Sequence, residues 1–122
     1  MIQVRNILYD KESQEADIEL ESNGVLITCY SHPVNNEEQI YNFVDSEIFA
    51  FQVTDIQIDD IRDQTAIKTD KGYYSYFLRG KVISESQIQI HDFIIHIDYL
   101  PKDILAGEYV SCQCLRLDLE DR

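Results

Sequence analysis

Glu15-Ala16-Asp17-Ile18-Glu19-Leu20-Glu21-Ser22-Asn23-Gly24-Val25-Leu26-Ile27-Thr28-Cys29-Tyr30 is the stretch that decides the fold. Ala16, Ile18 and Leu20 alternate with four acids, a period of two that belongs to a strand with one buried face. Asn23-Gly24 interrupts the pattern with the residue pair preferred in a two-residue type I′ turn, since both positions need positive φ. Such a turn pairs residues whose numbers sum to 47, so Leu20 faces Ile27 and Ile18 faces Cys29 on the core side. The other side then pairs Glu21 with Leu26, Glu19 with Thr28, Asp17 with Tyr30 and Glu15 with His32.

Working outward, the apolar phase changes at three places. Phe49, Phe51 and Val53 give way to Ile56 and Ile58 around Thr54-Asp55. Ile88 and Ile90 give way to Phe93, Ile95 and Ile97 across His91-Asp92, and Val110, Cys112 and Cys114 give way to Leu115, Leu117 and Leu119. A phase change implies a bulge or bend, and repeated bends are what a curved sheet demands. Thr69-Asp70-Lys71-Gly72 reads as a hairpin turn with Gly72 at positive φ, before an apolar-rich run from Tyr73 to Ile83. Leu100 to Gly107 reads as a short turn or single helical turn, and residues 35–46 read as either one short helix or a strand. The expected fold is all-β, a small curved, mostly antiparallel barrel or sandwich with at most one short helix; a five-stranded oligonucleotide-binding-type barrel is one candidate.

Length and composition agree. At 122 residues, with 44% hydrophobic and 27% charged residues, residues 1–122 are expected to form a single β domain. No run approaches the roughly eighteen apolar residues of a spanning helix, and no basic segment followed by an apolar stretch opens the chain, so a cytoplasmic location and no membrane partner are expected. Cys29, Cys112 and Cys114 are odd in number and spaced unlike a disulfide framework, and they read as reduced, buried thiols.

Twenty-three acids against ten bases give a net charge of −13, which repels phosphate backbones and anionic surfaces. Glu15, Asp17, Glu19 and Glu21 concentrate that charge. Side chains on one strand face repeat every roughly 7 Å, inside the screening length of about 8 Å at physiological salt, so the row carries a real negative potential that a cationic partner would relieve. Asp10 and Glu12 extend it. A solvated, aggregation-resistant edge hairpin would use the same residues. The functional reading is a recognition surface for a basic protein, with Tyr30 and His32 as a packed anchor beside the acids.

The bases gather instead between residues 62 and 81, as Arg62, Lys68, Lys71, Arg79 and Lys81. If Tyr74, Tyr76, Leu78 and Val82 face the core, Tyr73, Phe77, Arg79 and Lys81 share an outer face able to stack bases and follow phosphates. This is the alternative, a nucleic-acid or polyanion site, and the same face could serve a homodimer. The metal-ligand inventory of His32, His91, His96 and the three cysteines contains no zinc spacing, so neither metal nor other cofactor is expected. His91 beside Asp92 and His96 alternating with Asp98 suggest histidine–carboxylate pairs, from which a scattered site of His91, His96 and Asp98 could be built. No nucleophile motif or phosphate loop accompanies them, and Asp59-Asp60 sits in a polar turn. The chain is expected to have no catalytic residues and to be a non-enzymatic binding module, for example an immunity or antitoxin-like inhibitor of a basic protein.

Overall fold

The computed structural model describes residues 1–34 and 47–120; the segment 35–46 read above as helix or strand lies outside the described residues. The described chain is all-β, eleven strands in one mostly antiparallel sheet, with no helix among the described residues. In chain order they are β1 (Gln3–Asp10), β2 (Glu15–Ser22), β3 (Val25–Ser31), β4 (Glu47–Phe51), β5 (Thr54–Ile58), β6 (Thr65–Lys68), β7 (Tyr76–Ser84), β8 (Gln87–Ile90), β9 (Phe93–His96), β10 (Tyr109–Cys114) and β11 (Arg116–Glu120). Their spatial order is β1-β2-β3-β11-β4-β9-β8-β7-β10-β5, with β6 also on β7. The path is not closed, so the curvature expected from the phase changes produces a curled open sheet rather than a barrel. No helix among the described residues is long and apolar enough to cross a membrane.

The β2–β3 hairpin takes the register dictated by its turn: Leu20 pairs with Ile27, Ile18 with Cys29 and Asp17 with Tyr30. Asn23 at φ 50° and Gly24 at φ 83° supply the two positive angles. β3 ends at Ser31, so the anticipated Glu15–His32 pair does not form, and His32 is exposed beyond the ladder. The hairpin is also not at the edge of the sheet. β1 covers the outer side of β2, pairing Ile7 with Ile18, Leu8 with Asp17 and Asp10 with Glu15 after a register shift between Val4 and Asn6.

The three phase changes have two physical origins. Across His91-Asp92 the chain makes a two-residue hairpin turn, with Ile90 opposite Phe93 and Ile88 opposite Ile95. Partner numbers there sum to an odd value, so parity inverts while Ile88, Ile90, Phe93 and Ile95 all stay buried. The other two changes are the corner itself. β4–β5 runs antiparallel to β10–β11, and both break together: Gln52 and Asp55 adopt φ 52° and 56°, while the Leu115 N–H donates to Phe51 O at 3.0 Å. Beyond the break β5 and β10 join β7's side of the sheet, whereas β4 and β11 join β9 and β3. Phe49 and Phe51, whose alternation marked the change, lie on the outer face, and Ile48 and Ala50 fill the core.

Two further expectations change. The β6–β7 connection is the longer Thr69–Ser75 loop, closed by Thr69 N–H to Ser75 O at 3.0 Å, and Gly72 is not at positive φ. β7 starts at Tyr76, so Tyr73 and Tyr74 belong to that loop and Tyr74 does not share the core face of Tyr76, Leu78 and Val82.

Because most strands bury one side, the sheet curls until distant strands meet. The Ser22 hydroxyl and Asp92 exchange two 3.1 Å hydrogen bonds, tying the β2–β3 turn to the β8–β9 turn, and Tyr76 Oη accepts the Thr28 N–H at 2.8 Å beyond the single parallel pair that joins β3 to β11. The enclosed core includes Ile18, Leu20, Ile27, Leu78, Ile90, Phe93 and Leu117. β7 crosses β8 closely at Gly80, where an added Cβ would lie 2.8 Å from Gln89 O and 3.0 Å from an Ile90 side-chain carbon. Backbone cannot step aside as a flexible side chain can. Gly80→Ala is expected to lower unfolding free energy by about 1–3 kcal/mol, read as a lower urea midpoint, whereas Gly72→Ala, whose nearest neighbour would be the Ser75 hydroxyl at 3.9 Å, leaves the midpoint nearly unchanged. Equal midpoints for the two variants would contradict this packing.

Candidate functional site

The pleat carries Glu15, Asp17, Glu19 and Glu21 to the outer side of β2, opposite Ala16, Ile18 and Leu20 in the core. Glu15 is exposed and the other three are half-buried between β1 and β3. The acids are not equivalent. Glu21 accepts from Arg5 Nε at 2.6 Å. Glu15 accepts the Tyr30 hydroxyl at 3.0 Å and Asp17 the Tyr74 hydroxyl at 2.7 Å, both neutral donors that leave the negative charge in place. Each tyrosine is held protonated by burial first and by its carboxylate second, so both phenols titrate above their ordinary range.

Tyr74 reaches this face because the Thr69–Ser75 loop folds over it, a placement no strand pattern could reveal. Its ring meets Tyr30 edge-on at 5.8 Å and Tyr73 at 4.6 Å. Tyr30 also receives Arg116, whose guanidinium carbon lies 4.6 Å from the Tyr30 centroid and 4.8 Å from Phe51, while Nε and Nη2 contact Asp118 at 2.5 and 3.1 Å. Asp118 stands beside Tyr30 on β11. The surface is therefore a mixed aromatic and acidic face, of which the sequence disclosed the acids and Tyr30 but not Tyr74, Arg116 or Phe51. His32 is not joined to it by any contact among the described residues.

The residues chosen for polyanion binding are divided. Phe77 and Arg79 share an outward face of β7, with the guanidinium 5.4 Å from the Phe77 centroid, and Lys81 follows them. Tyr73 lies apart in the loop beneath Lys68 Nζ, 4.7 Å from its ring. Arg79 is engaged by two carboxylates, Asp59 at 3.0 Å and Asp63 at 2.8 Å. A phosphate would have to displace both.

The histidines are also separated. His91 occupies the β8–β9 turn, 3.4 Å from the Asn23 amide, and His96 closes β9, stacked on Phe49 at 4.6 Å with Nε2 3.7 Å from Glu47. The four residues of β9, rising about 3.3 Å each, stand between the turn that holds His91 and the strand end that holds His96. Glu47, not Asp98, is the carboxylate beside His96, because β9 ends before Asp98 and β4 packs alongside. Asp98 lines a hollow of about 750 Å³ between Ser84–Ser86 and the Asp98–Ala106 turns. Among the described residues no three His, Cys, Asp or Glu side chains converge as metal ligands.

Cys29, Cys112 and Cys114 are free and buried on the core side. Burial pushes the Cys112 thiol up to about 12 and the Cys114 thiol to about 11. Comparison with protein-family models, with characterised proteins and with solved structures finds no match to this chain.

Two outcomes follow from these environments. Ellman's reagent at pH 8 is expected to titrate almost no thiol in the native protein and all three after denaturation in urea, with rapid native labelling the contrary result. Asp59 is held below the ordinary carboxyl range first by the Ile61 N–H and then by Arg79. Because the folded carboxyl titrates below the unfolded value of about 3.9, its stabilising contacts are complete above that value and are lost as pH falls through the lower folded one. Carboxyl NMR titration should show Arg79→Gln raising the Asp59 midpoint only part of the way back, since the Ile61 N–H remains.

Proposed function

We propose that this chain is a small acidic binding module that captures a basic protein on the outer face of β1, β2 and β3, acting by docking alone and without bond making. The observation that carries the reading is the placement of Glu15, Asp17, Glu19 and Glu21 on one side of a single strand. Held at strand spacing on a packed sheet, they form a preorganised field, so a partner need not order them on binding. A net charge of −13 adds long-range steering toward a cationic surface. Tyr30, braced by Arg116 on one side and Tyr74 on the other, offers a rigid amphipathic anchor next to that field. An immunity or antitoxin-like inhibitor that covers a cationic nuclease or toxin is the setting these properties suit.

The test is direct binding to the immobilised chain at about 0.15 M salt, where surface charges act over about 8 Å. Small basic proteins should be retained, with association slowing as salt rises. Glu15→Lys with Glu19→Lys should weaken retention at least tenfold, mostly through the association rate. Retention of oligonucleotides that is lost on Arg79→Glu, with no retention of basic proteins, would replace this reading with the polyanion one.

A further inference from the structure

The turn that sets the β2–β3 register also holds a reactive pair. Asn23 alone among the chain's asparagines precedes a glycine. The backbone nitrogen of the residue after an asparagine is placed to attack the side-chain carbonyl, and glycine, having no Cβ, hinders that attack least. Both residues are exposed, and a Cβ built at Gly24 would meet nothing within 4 Å, so the tip of the turn is unpacked. The ladder closes between Ser22 and Val25, and the Gly24 N–H takes part in no hydrogen bond among the described residues. The fold leaves this nucleophile free.

A third group reaches the same point from far along the chain. The β8–β9 turn brings His91 to the tip, with Nδ1 3.4 Å from the Asn23 amide nitrogen. His91 is fixed through its own backbone, whose N–H donates to Gln64 Oε1 at 2.5 Å and whose carbonyl accepts from Gln89 Nε2 at 3.0 Å. The two turns are locked together by the Ser22–Asp92 hydrogen bonds, so the imidazole and the amide are held in one another's reach. Breaking the bond to an amide nitrogen requires a proton on the departing nitrogen, and imidazole is the side chain best suited to give and regain one near neutral pH.

We propose that Asn23 is a site of spontaneous modification, converted to aspartyl and isoaspartyl residues with His91 assisting. The Gly24 nitrogen bonds to Asn23 Cγ and releases its proton to water. The Cγ–Nδ2 bond breaks, His91 Nδ1 supplies the proton with which the nitrogen leaves as ammonia, and the imidazole regains a proton from water. A water molecule then opens the cyclic imide at one of its two carbonyls, so that the balance is water in and ammonia out. Opening at the side-chain carbonyl leaves aspartate; opening at the main-chain carbonyl reroutes the backbone through the side chain and adds one carbon to it. Either product sets a new carboxylate beside His91, and the second lengthens a two-residue connection whose positive φ angles fix the hairpin register.

The test is incubation of the full folded chain at about pH 7 and 37 °C, with samples taken over time for peptide mapping by mass spectrometry and for enzymatic methylation of isoaspartyl groups. The expected result is that the peptide holding Asn23 gains the mass of an exchange of NH for O, partly as the isoaspartyl form, while the peptide holding Asn6 does not change. His91→Gly should slow conversion at Asn23 at least threefold, with the thermal melt still that of a folded protein. His91→Asn, a second residue at ease with the φ of 53° found there, should do the same. Asn23→Gly, which keeps a pair suited to the turn, should abolish the mass gain. Conversion of the chain unfolded in urea but not of the folded chain would overturn the proposal, because the turn would then shield Asn23. Equal rates in the parent and in both His91 variants would overturn the role given to the imidazole.

Discussion

A sheet most of whose strands bury one side must bend until that side meets itself, and this constraint governs the core of the molecule. Ile18, Leu20, Ile27, Leu78, Ile90, Phe93 and Leu117 come from strands spread across the sheet order, yet all are sealed from solvent. No helix among the described residues lies over them. Their burial, at about 25 cal/mol per Å² of apolar surface removed from water, drives the curl, and the curl decides which turns touch. The Ser22–Asp92 exchange and the Thr28–Tyr76 bond are its consequences, because they join strands that the ladder order keeps far apart.

The same constraint makes the outer face. Once the apolar residues of β2 are committed inward, the pleat has no choice about Glu15, Asp17, Glu19 and Glu21, and the covering strand β1 adds Leu8 and Asp10 beside them. The corner at Gln52–Val53 and Leu115 then brings Phe51 and Arg116 onto that side, and the Thr69–Ser75 loop brings Tyr74. A face that began as a row of like charges becomes a mixed aromatic and acidic surface on which Arg116 and Arg5 are already paired.

Opposite charges are treated asymmetrically by this architecture. The bases between residues 62 and 81 looked in the sequence like one cationic stretch, but the fold engages three of them locally, Arg79 on Asp59 and Asp63, Lys68 over Tyr73 and Arg62 over Tyr109. Half-buried guanidinium–carboxylate pairs of this kind orient loops and lower the cost of desolvating the arginine. They take Arg79 out of the cationic stretch, whereas of the acids of β2 only Glu21 is ion-paired among the described residues.

By itself the sequence determined the β class, the β2–β3 register to the residue and the common side of the four acids. Each follows from local rules: period-two alternation, and a two-residue turn whose positive φ angles leave one pairing. The burial of the three cysteines followed from the same alternation. Only the tertiary structure decided that the change at His91-Asp92 is a hairpin turn while those near Thr54 and Leu115 are a shared corner, since parity inverts in both cases and only the pairing partners differ. It alone placed β1 over the hairpin, turned Phe49 and Phe51 outward, gave His96 to Glu47 instead of Asp98, and set Tyr74 against Asp17. Those contacts span long stretches of chain, and they are selected by how a curled sheet closes over its own apolar side, information that no window of neighbouring residues contains.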